Sequence, residues 1–390
     1  MDEKGGTDID DGGTQGLPGP APAHYGRLFP NKTPGYPKQD LIDLAIAMRV
    51  GDDVANDLKT HSGVVYFGQF IDHDLTRDRT KLEQDPYPEP KDTPNWRTPR
   101  LDLDSVYGNG PASNVPLPEG DYVAYRGDRF QLSSIDGNEV DLPRDQNAIP
   151  QIAESRNDEN LVISQLQVVF MKFHNRVVDL LEDPALSFPA PPGRSIFERA
   201  RRFVVWHYQW IVREGFLRQI IHPDVLWEIT QLRCHPKLFD ATPGDVVALP
   251  IEFTMAAFRF GHSMVRDTYR LRNDAEGLTL SELLNHDARK LERRHVIEWK
   301  KFFGPERHTK INAAQRIDTT LAKGFYALPD RIILLYKEIG PPSEHSLAAR
   351  TLIRGSKVGL PSGQDLCEMA RIPFITFKES DRDFDLLRRC

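Results

Sequence analysis

The chain has 390 residues, 39% of them apolar and 27% charged, with a formal net charge of −7. The acidic balance argues against nucleic acid or an anionic membrane as main partner, and no apolar run reaches the roughly 18–20 residues that a bilayer span needs. Cys234, Cys367 and Cys390 show no paired spacing, so there is neither a disulfide framework nor a zinc pattern.

Residues 1–24 are acidic and rich in Gly and Pro, and read as a mobile arm. They lack the basic and apolar regions of a Sec signal peptide, so the cytoplasm is the default compartment, with a non-classical export route as the alternative. Residues 39–50 (QDLIDLAIAMRV) form a short amphipathic helix, and residues 62–73 form a second. The run DPYPEPKDTPNWRTPR is broken by prolines and must be irregular. Two short β pieces fall within residues 121–133. A long helix begins near Asn160 and stops at Pro184, with apolar residues at 162, 166, 169, 170, 173, 177, 180 and 181 following the 3.6 period. The next opens on a capping box at residues 195–198 (SIFE) and runs to about residue 221. Another starts after Pro250 and carries EFTMAAFRFGHSMV, and a further one covers about 343–356. Strand signals are sparse. The pattern predicts a mainly α fold in a single domain over residues 25–390.

Polar residues inside these helices carry the chemical signal. GQFIDHD (residues 68–74) sets Gln69 and His73 four apart, on one helical face, within an apolar frame that leaves little of the helix to solvate. Asp72 points toward the same side and Asp74 follows directly; taken alone, His73 is more simply a satisfied core histidine than a reactive one. RTPRLDLDSVYG (residues 97–108) offers hard oxygens from Thr98, the Arg100 carbonyl, Asp102 and Asp104. Taken alone this is more simply a solvated acidic turn. It becomes a Ca²⁺ site, which needs six to eight oxygens, if a distant carboxylate such as Asp74 completes it. In ESRNDEN (residues 154–160), Arg156 and Glu159 are three apart, but taken alone the segment is more simply helix N-terminal chemistry, with Asp158 and Glu159 at the positive end of the macrodipole. In AFRFGHSM (residues 257–264), His262 follows Gly261, whose small size leaves room for a flat group. A core histidine and an axial haem ligand fit this segment equally.

Together these segments, in this order, resemble the animal-type haem peroxidase superfamily, through FGQFIDHDLT, RTPRLDLDSVYG, SRNDEN with LQVVFMKFHNRVVD, AAFRFGHSMV and RGSKVGLPSGQD. The likeness runs from about residue 26 to 364 and is greatest to the short bacterial-type members. It implies a helical domain holding haem b between a distal and a proximal helix. It implies His73 as distal histidine with Gln69 beside it, Arg156 as catalytic arginine and His262 as iron ligand. Asp72 and Glu159 would be the carboxylates able to form ester links to the haem. Arg259 and Arg354 would lie near its propionates. Asp74, Thr98, Arg100, Asp102 and Asp104 would bind Ca²⁺. The implied reaction reduces H₂O₂ and oxidises a halide, a pseudohalide or a small organic donor.

Two departures bear on activity. Thr351 stands where relatives carry an asparagine that hydrogen-bonds the proximal histidine, and the chain ends 26 residues after Gln364, where relatives continue with more helices. Both suit the alternative of a degenerate fold serving binding or adhesion. Retention of Gln69, His73, Arg156 and His262 argues for the enzyme. A fatty-acid dioxygenase would need a radical-forming tyrosine three residues before the proximal histidine, where this chain has Arg259.

Overall fold

The structure is a computed structural model that describes residues 23–29, 35–49, 57–111, 123–186, 194–232, 248–286, 291–304, 311–335 and 345–371. In chain order its helices are α1 (Lys38–Ala47), α2 (Ser62–Leu75), α3 (Asp104–Tyr107), α4 (Leu161–Glu182), α5 (Ile196–Trp210) and α6 (Leu217–Ile220). They continue with α7 (Pro223–Trp227), α8 (Leu280–Leu284), α9 (Lys300–Phe303), α10 (Asp330–Leu335), α11 (Leu347–Lys357) and α12 (Gly363–Ala370). The fold is mainly α, as the helical periodicity predicts.

The strands are short but well placed. Ala23–Gly26 pairs antiparallel with Pro94–Asn95 and parallel with Leu249–Pro250, in the register Tyr25 to Leu249 and Gly26 to Pro250. This sheet ties the start of the described chain to the loop before residue 98 and to the segment leading to His262. Of the arm expected over residues 1–24, Ala23 and His24 lie in the strand Ala23–Gly26 and residues 1–22 lie outside the described residues. The two short β pieces expected within residues 121–133 pair as a hairpin (Tyr125–Arg126 with Arg129–Phe130), and a second hairpin joins Ser133–Ile135 to Asn138–Asp141.

Helix α2 runs through the core. Phe67 and Phe70 are buried and stack on Phe170 of α4, the latter with ring centroids 4.9 Å apart, while Tyr208 of α5 meets both rings edge-on. Such aromatic pairs add about 0.5–1.5 kcal/mol each beyond burial. On another side α2 lies against α9, and only a glycine fits there: a Cβ on Gly63 would stand 2.4 Å from the Phe302 carbonyl oxygen.

Helix α4 begins where the Asn160 side chain accepts hydrogen bonds from the Val162 and Ile163 N–H groups, and it ends before Pro184. The capping box of Ser195 and Glu198 starts α5. The helix expected to run on to residue 221 is interrupted by a π-turn at Ile211–Phe216, which buries Val212 and Phe216 four residues apart.

The segment expected to be one α-helix carrying His262 is not. A π-turn covers Glu252–Ala256 and a 3₁₀-helix covers Ala257–Met264, joined at Ala256, whose φ −130° and ψ −77° leave the helical region. Periodicity of apolar residues over one or two turns cannot separate either form from the expected α-helix, because each differs from it by less than one residue per turn. The consequence is local. With three residues per turn, Arg259 and His262 eclipse and share one face.

Candidate active site

Helix α2, the 3₁₀-helix at Ala257–Met264, the turn at residues 155–160 and α11 enclose one cavity. Gln69, Asp72, His73, Arg156, Glu159, Arg259, His262 and Arg354 all line it. Residues distant in sequence are thus brought to one place, whichever of the readings open for each segment is taken. A second, mostly apolar cavity shares Arg259, His262 and Thr351 with the first.

His73 is buried, with 3% of its surface exposed. Its Nδ1 lies 2.8 Å from Asn157 Oδ1, and its Nε2 lies 3.8 Å from a Glu159 carboxylate oxygen. Burial, reinforced by the Arg156 charge, lowers its pKa from the usual 6.5 to about 3, so the imidazole is neutral at ordinary pH. Burial likewise lowers His262 to about 3, with Arg259 acting in the same direction. Position 261 is open, as a flat group would require: a Cβ there would meet only Val65 Cγ1 within 4 Å, at 3.9 Å.

The carboxylates are displaced the other way. Burial raises Asp72, and the Thr76 hydroxyl donates to it over 3.3 Å. Burial raises Glu159 to about 7. Glu159 accepts a hydrogen bond from Gln69 Nε2, whose Oε1 in turn accepts one from Asn160 Nδ2 at 3.3 Å. Glu159 therefore belongs to the cavity wall, and Asn160 rather than Asp158 or Glu159 caps α4.

Arg156 is held by a group that the sequence did not single out. Glu154 is fully buried and accepts from Arg156 Nε at 2.9 Å, Arg77 at 2.6 Å and Arg97 Nε at 2.9 Å. Burial alone would raise the Glu154 pKa, but Arg156, Arg97 and Arg77 outweigh it and keep the carboxyl well below its usual range. Arg156 also donates to the carbonyls of His73 and Thr76, which bolts the turn at residues 155–158 to the end of α2. The pair Glu154 and Arg156, two apart, was the only local sign of this hub. Arg77 and Arg97 join it only through the fold. Arg354 reaches the cavity wall while donating to Asp78 at 2.9 Å, the Thr80 carbonyl and the Tyr87 hydroxyl.

On the far side of α2, Asp74, Asp102 and Asp104 bring carboxylate oxygens within 4.8 Å of one another. Asp74 is buried and accepts from the Ser105 hydroxyl at 2.8 Å and the Leu103 N–H at 3.2 Å. Thr98 donates its hydroxyl to Asp102 at 2.6 Å and its N–H to Asp104 at 2.9 Å. Leu101 and Leu103 adopt left-handed φ values of 54° and 57°, so the loop is wound tightly around this cluster. One buried oxygen, Asp104 Oδ1, has no hydrogen-bond partner among the described residues, and Arg97 approaches it only to 3.9 Å. Three converging carboxylates with an orphaned oxygen fit a hard divalent cation. Arg100 lies in the same loop, its N–H bonded to the Thr98 carbonyl.

A buried cavity with two neutral imidazoles, several arginines and desolvated carboxylates offers nitrogen ligands for a metal and cations for an anionic group. Comparison with known proteins gives the class. A family model for animal haem peroxidase matches residues 76–379, and the chain belongs to that family. The match begins just after α2, so Gln69, Asp72, His73 and Asp74 lie immediately before it. The chain is 24% identical over 289 residues to a chorion peroxidase of Drosophila melanogaster, covering 70% of this chain and 33% of that protein. It is 27% identical over 286 residues to a peroxidase-like protein of Margaritifera margaritifera, covering 70% and 35%. The chain thus spans about a third of the length of these curated relatives. Among solved structures, peroxidase A of Dictyostelium discoideum superposes with a TM-score of 0.60 at 17% identity, covering 95% of this chain and 78% of that one. A fatty acid alpha-dioxygenase of Arabidopsis thaliana gives 0.63 at 15%, covering 95% and 65%. These two show a shared fold. Among the described residues no helix is long and apolar enough to cross a membrane.

Proposed function

We propose that the chain is a haem peroxidase that reduces H₂O₂ and oxidises a halide, a pseudohalide or a small organic donor. One observation carries the reading: His73 and His262, from separate segments and both kept neutral by burial, line a single cavity together with Arg156. A neutral imidazole has a lone pair to give to a metal or a proton, and a buried structural histidine needs no second one on the same cavity wall.

His262 would hold the haem iron, and Arg259 and Arg354 supply cations suited to its propionates. Asp72 and Glu159 are buried carboxyls on the wall of the same cavity, placed to form ester links to ring methyl groups of a bound haem; each link would replace a methyl C–H bond by a C–O bond, with H₂O₂ as the two-electron oxidant and both hydrogens leaving as protons. Bound haem would supply the electrons that split the peroxide O–O bond. The protein's own part is proton handling and charge. H₂O₂ needs two protons and two electrons to become two waters, and a neutral His73 can take the proton of the attacking oxygen and return it to the departing one. Arg156, fixed by Glu154, presents a positive field where negative charge grows on that oxygen. Gln69, bonded to Glu159 and Asn160, is a fixed polar group beside His73 that can position peroxide or water. Ca²⁺ at Asp74, Thr98, Arg100, Asp102 and Asp104 would clamp the end of α2, because Asp74 is the residue after His73.

The test is a visible spectrum of the purified, haem-reconstituted protein before and after H₂O₂, followed by peroxide-dependent dye oxidation. A histidine-type Soret band that responds to H₂O₂ is expected. Protein that takes up no haem, or takes it up without reacting, overturns the reading.

A further inference from the structure

Asn157 has no part in the functional reading so far, yet it makes the one hydrogen bond that His73 has at Nδ1 among the described residues, at 2.8 Å. It lies on the turn at Ser155–Asp158 that also carries Arg156, and it is completely buried. Its amide nitrogen donates to Gln167 Oε1 at 2.8 Å, and Gln167, on the buried face of α4, is also completely buried. The chain from His73 to Gln167 is therefore a fully buried line of two amides behind an imidazole.

We infer that Asn157 is a positioning residue that holds His73 in the tautomer with the proton on Nδ1, leaving the Nε2 lone pair to face the cavity. The direction of the line decides the tautomer. An amide presents either its oxygen or its NH₂ group on a given side. With Asn157 Nδ2 given to Gln167, its Oδ1 faces the ring, and Nδ1 can meet it only as a donor. Neutral imidazole carries one proton, so Nε2 is bare. If the line were reversed, Asn157 would donate to Nδ1 and Nε2 would carry the hydrogen. His73 would then face the cavity as an acid that cannot accept a proton first. The same bond fixes ring rotation, because Asn157 is anchored on α4 through Gln167 and on α2 through its neighbour Arg156. The inference rests on the reading of His73 as the group that accepts the peroxide proton.

Long-range ¹H–¹⁵N NMR of ¹⁵N-histidine-labelled protein reads the tautomer directly, with bound haem kept in a diamagnetic ferrous carbonyl form. The parent should show a protonated Nδ1 and a bare Nε2 on His73. Asn157→Asp offers oxygen only, so it should keep that tautomer. Asn157→Leu offers nothing and should give a mixture of the two, with slower reaction with H₂O₂. Gln167→Met, which frees the Asn157 amide to turn, should shift the ratio in the same direction as Asn157→Leu. A parent protonated at Nε2, or an Asn157→Leu variant whose tautomer is unchanged, overturns the inference. His73→Ala separates it from the functional reading: if that variant reacts with H₂O₂ as fast as the parent, the role of His73 fails whatever the tautomer.

Discussion

The carboxylate cluster at Asp74, Asp102 and Asp104 should make calcium binding and stability depend on pH in a direction that can be worked out. In the metal-free fold, burial and then the Asp104 charge raise Asp74 from 3.8 to about 7. Burial raises Asp104 from 3.8 to about 6. A carboxyl with a raised folded pKa holds its proton more tightly folded than unfolded. Between the two values the folded state binds more protons, and stability falls as pH rises. For Asp74 the rise is about three pH units at about 1.4 kcal/mol each, so about 4 kcal/mol is lost by about pH 7. Asp104 titrates within the same window, and the mutual repulsion is shared between the two rather than counted twice. Calcium binds the charged carboxylates, so its stabilising effect should be small at about pH 5 and largest at about pH 8. Melting scans with excess Ca²⁺ and with chelator should show the difference growing by about 5–10 °C across that range. Glu159 is raised to about 7 as well, so the calcium-dependent difference is the readout and not the slope of the chelated protein alone. Asp74→Asn should melt higher than the parent in chelator at about pH 8 and gain nothing from calcium, since one of the mutually repelling charges is gone. A calcium effect of equal size at both pH values, or an Asp74→Asn variant still stabilised by Ca²⁺, would refute the reasoning.

Further outcomes follow from the cavity and the core. His262→Ala should lose stable haem binding, read from Soret absorbance at fixed haem stoichiometry; an unchanged histidine-type spectrum would remove His262 as the ligand. His73→Ala should keep haem and slow the reaction with H₂O₂ by ~10²–10⁴-fold, the usual contribution of a placed acid–base group, in stopped-flow measurements. Thr351 Oγ1 is buried without a hydrogen-bond partner among the described residues and lines both cavities that His262 lines. Thr351→Asn, with a longer amide to reach a ring N–H, should lower the Fe(III)/Fe(II) potential of bound haem; equal potentials would mean that position 351 does not touch the histidine. Gly63→Ala should cost at least ~2 kcal/mol, seen in the denaturation midpoint, because its Cβ would overlap the Phe302 carbonyl on α9.

Periodicity placed α2 and α4 and a capping box placed the start of α5, because those signals are local: apolar residues recur every three or four positions, and Ser195 bonds the N–H group three residues on. The shared face of Gln69 and His73 was legible for the same reason. The grouping of Asp74 with Asp102 and Asp104 was open from the residues and favoured only through resemblance, since no local rule pairs carboxylates almost thirty residues apart. Other features needed the tertiary structure. The 3₁₀ winding around His262 is set at Ala256, where a single pair of dihedral angles ends one kind of turn and begins another without changing the apolar pattern. Glu154 looks like a loop carboxylate until Arg77 and Arg97 arrive from some sixty to eighty residues away, and their charges, with that of Arg156, keep it ionised in the core. Asn157 looks like a turn residue until α2 brings His73 to it. A chain can specify the type of each side chain and the short-range geometry of its helix. Whether a buried polar group is paired, orphaned or forced neutral depends on which distant atoms replace water around it, and folding alone decides that.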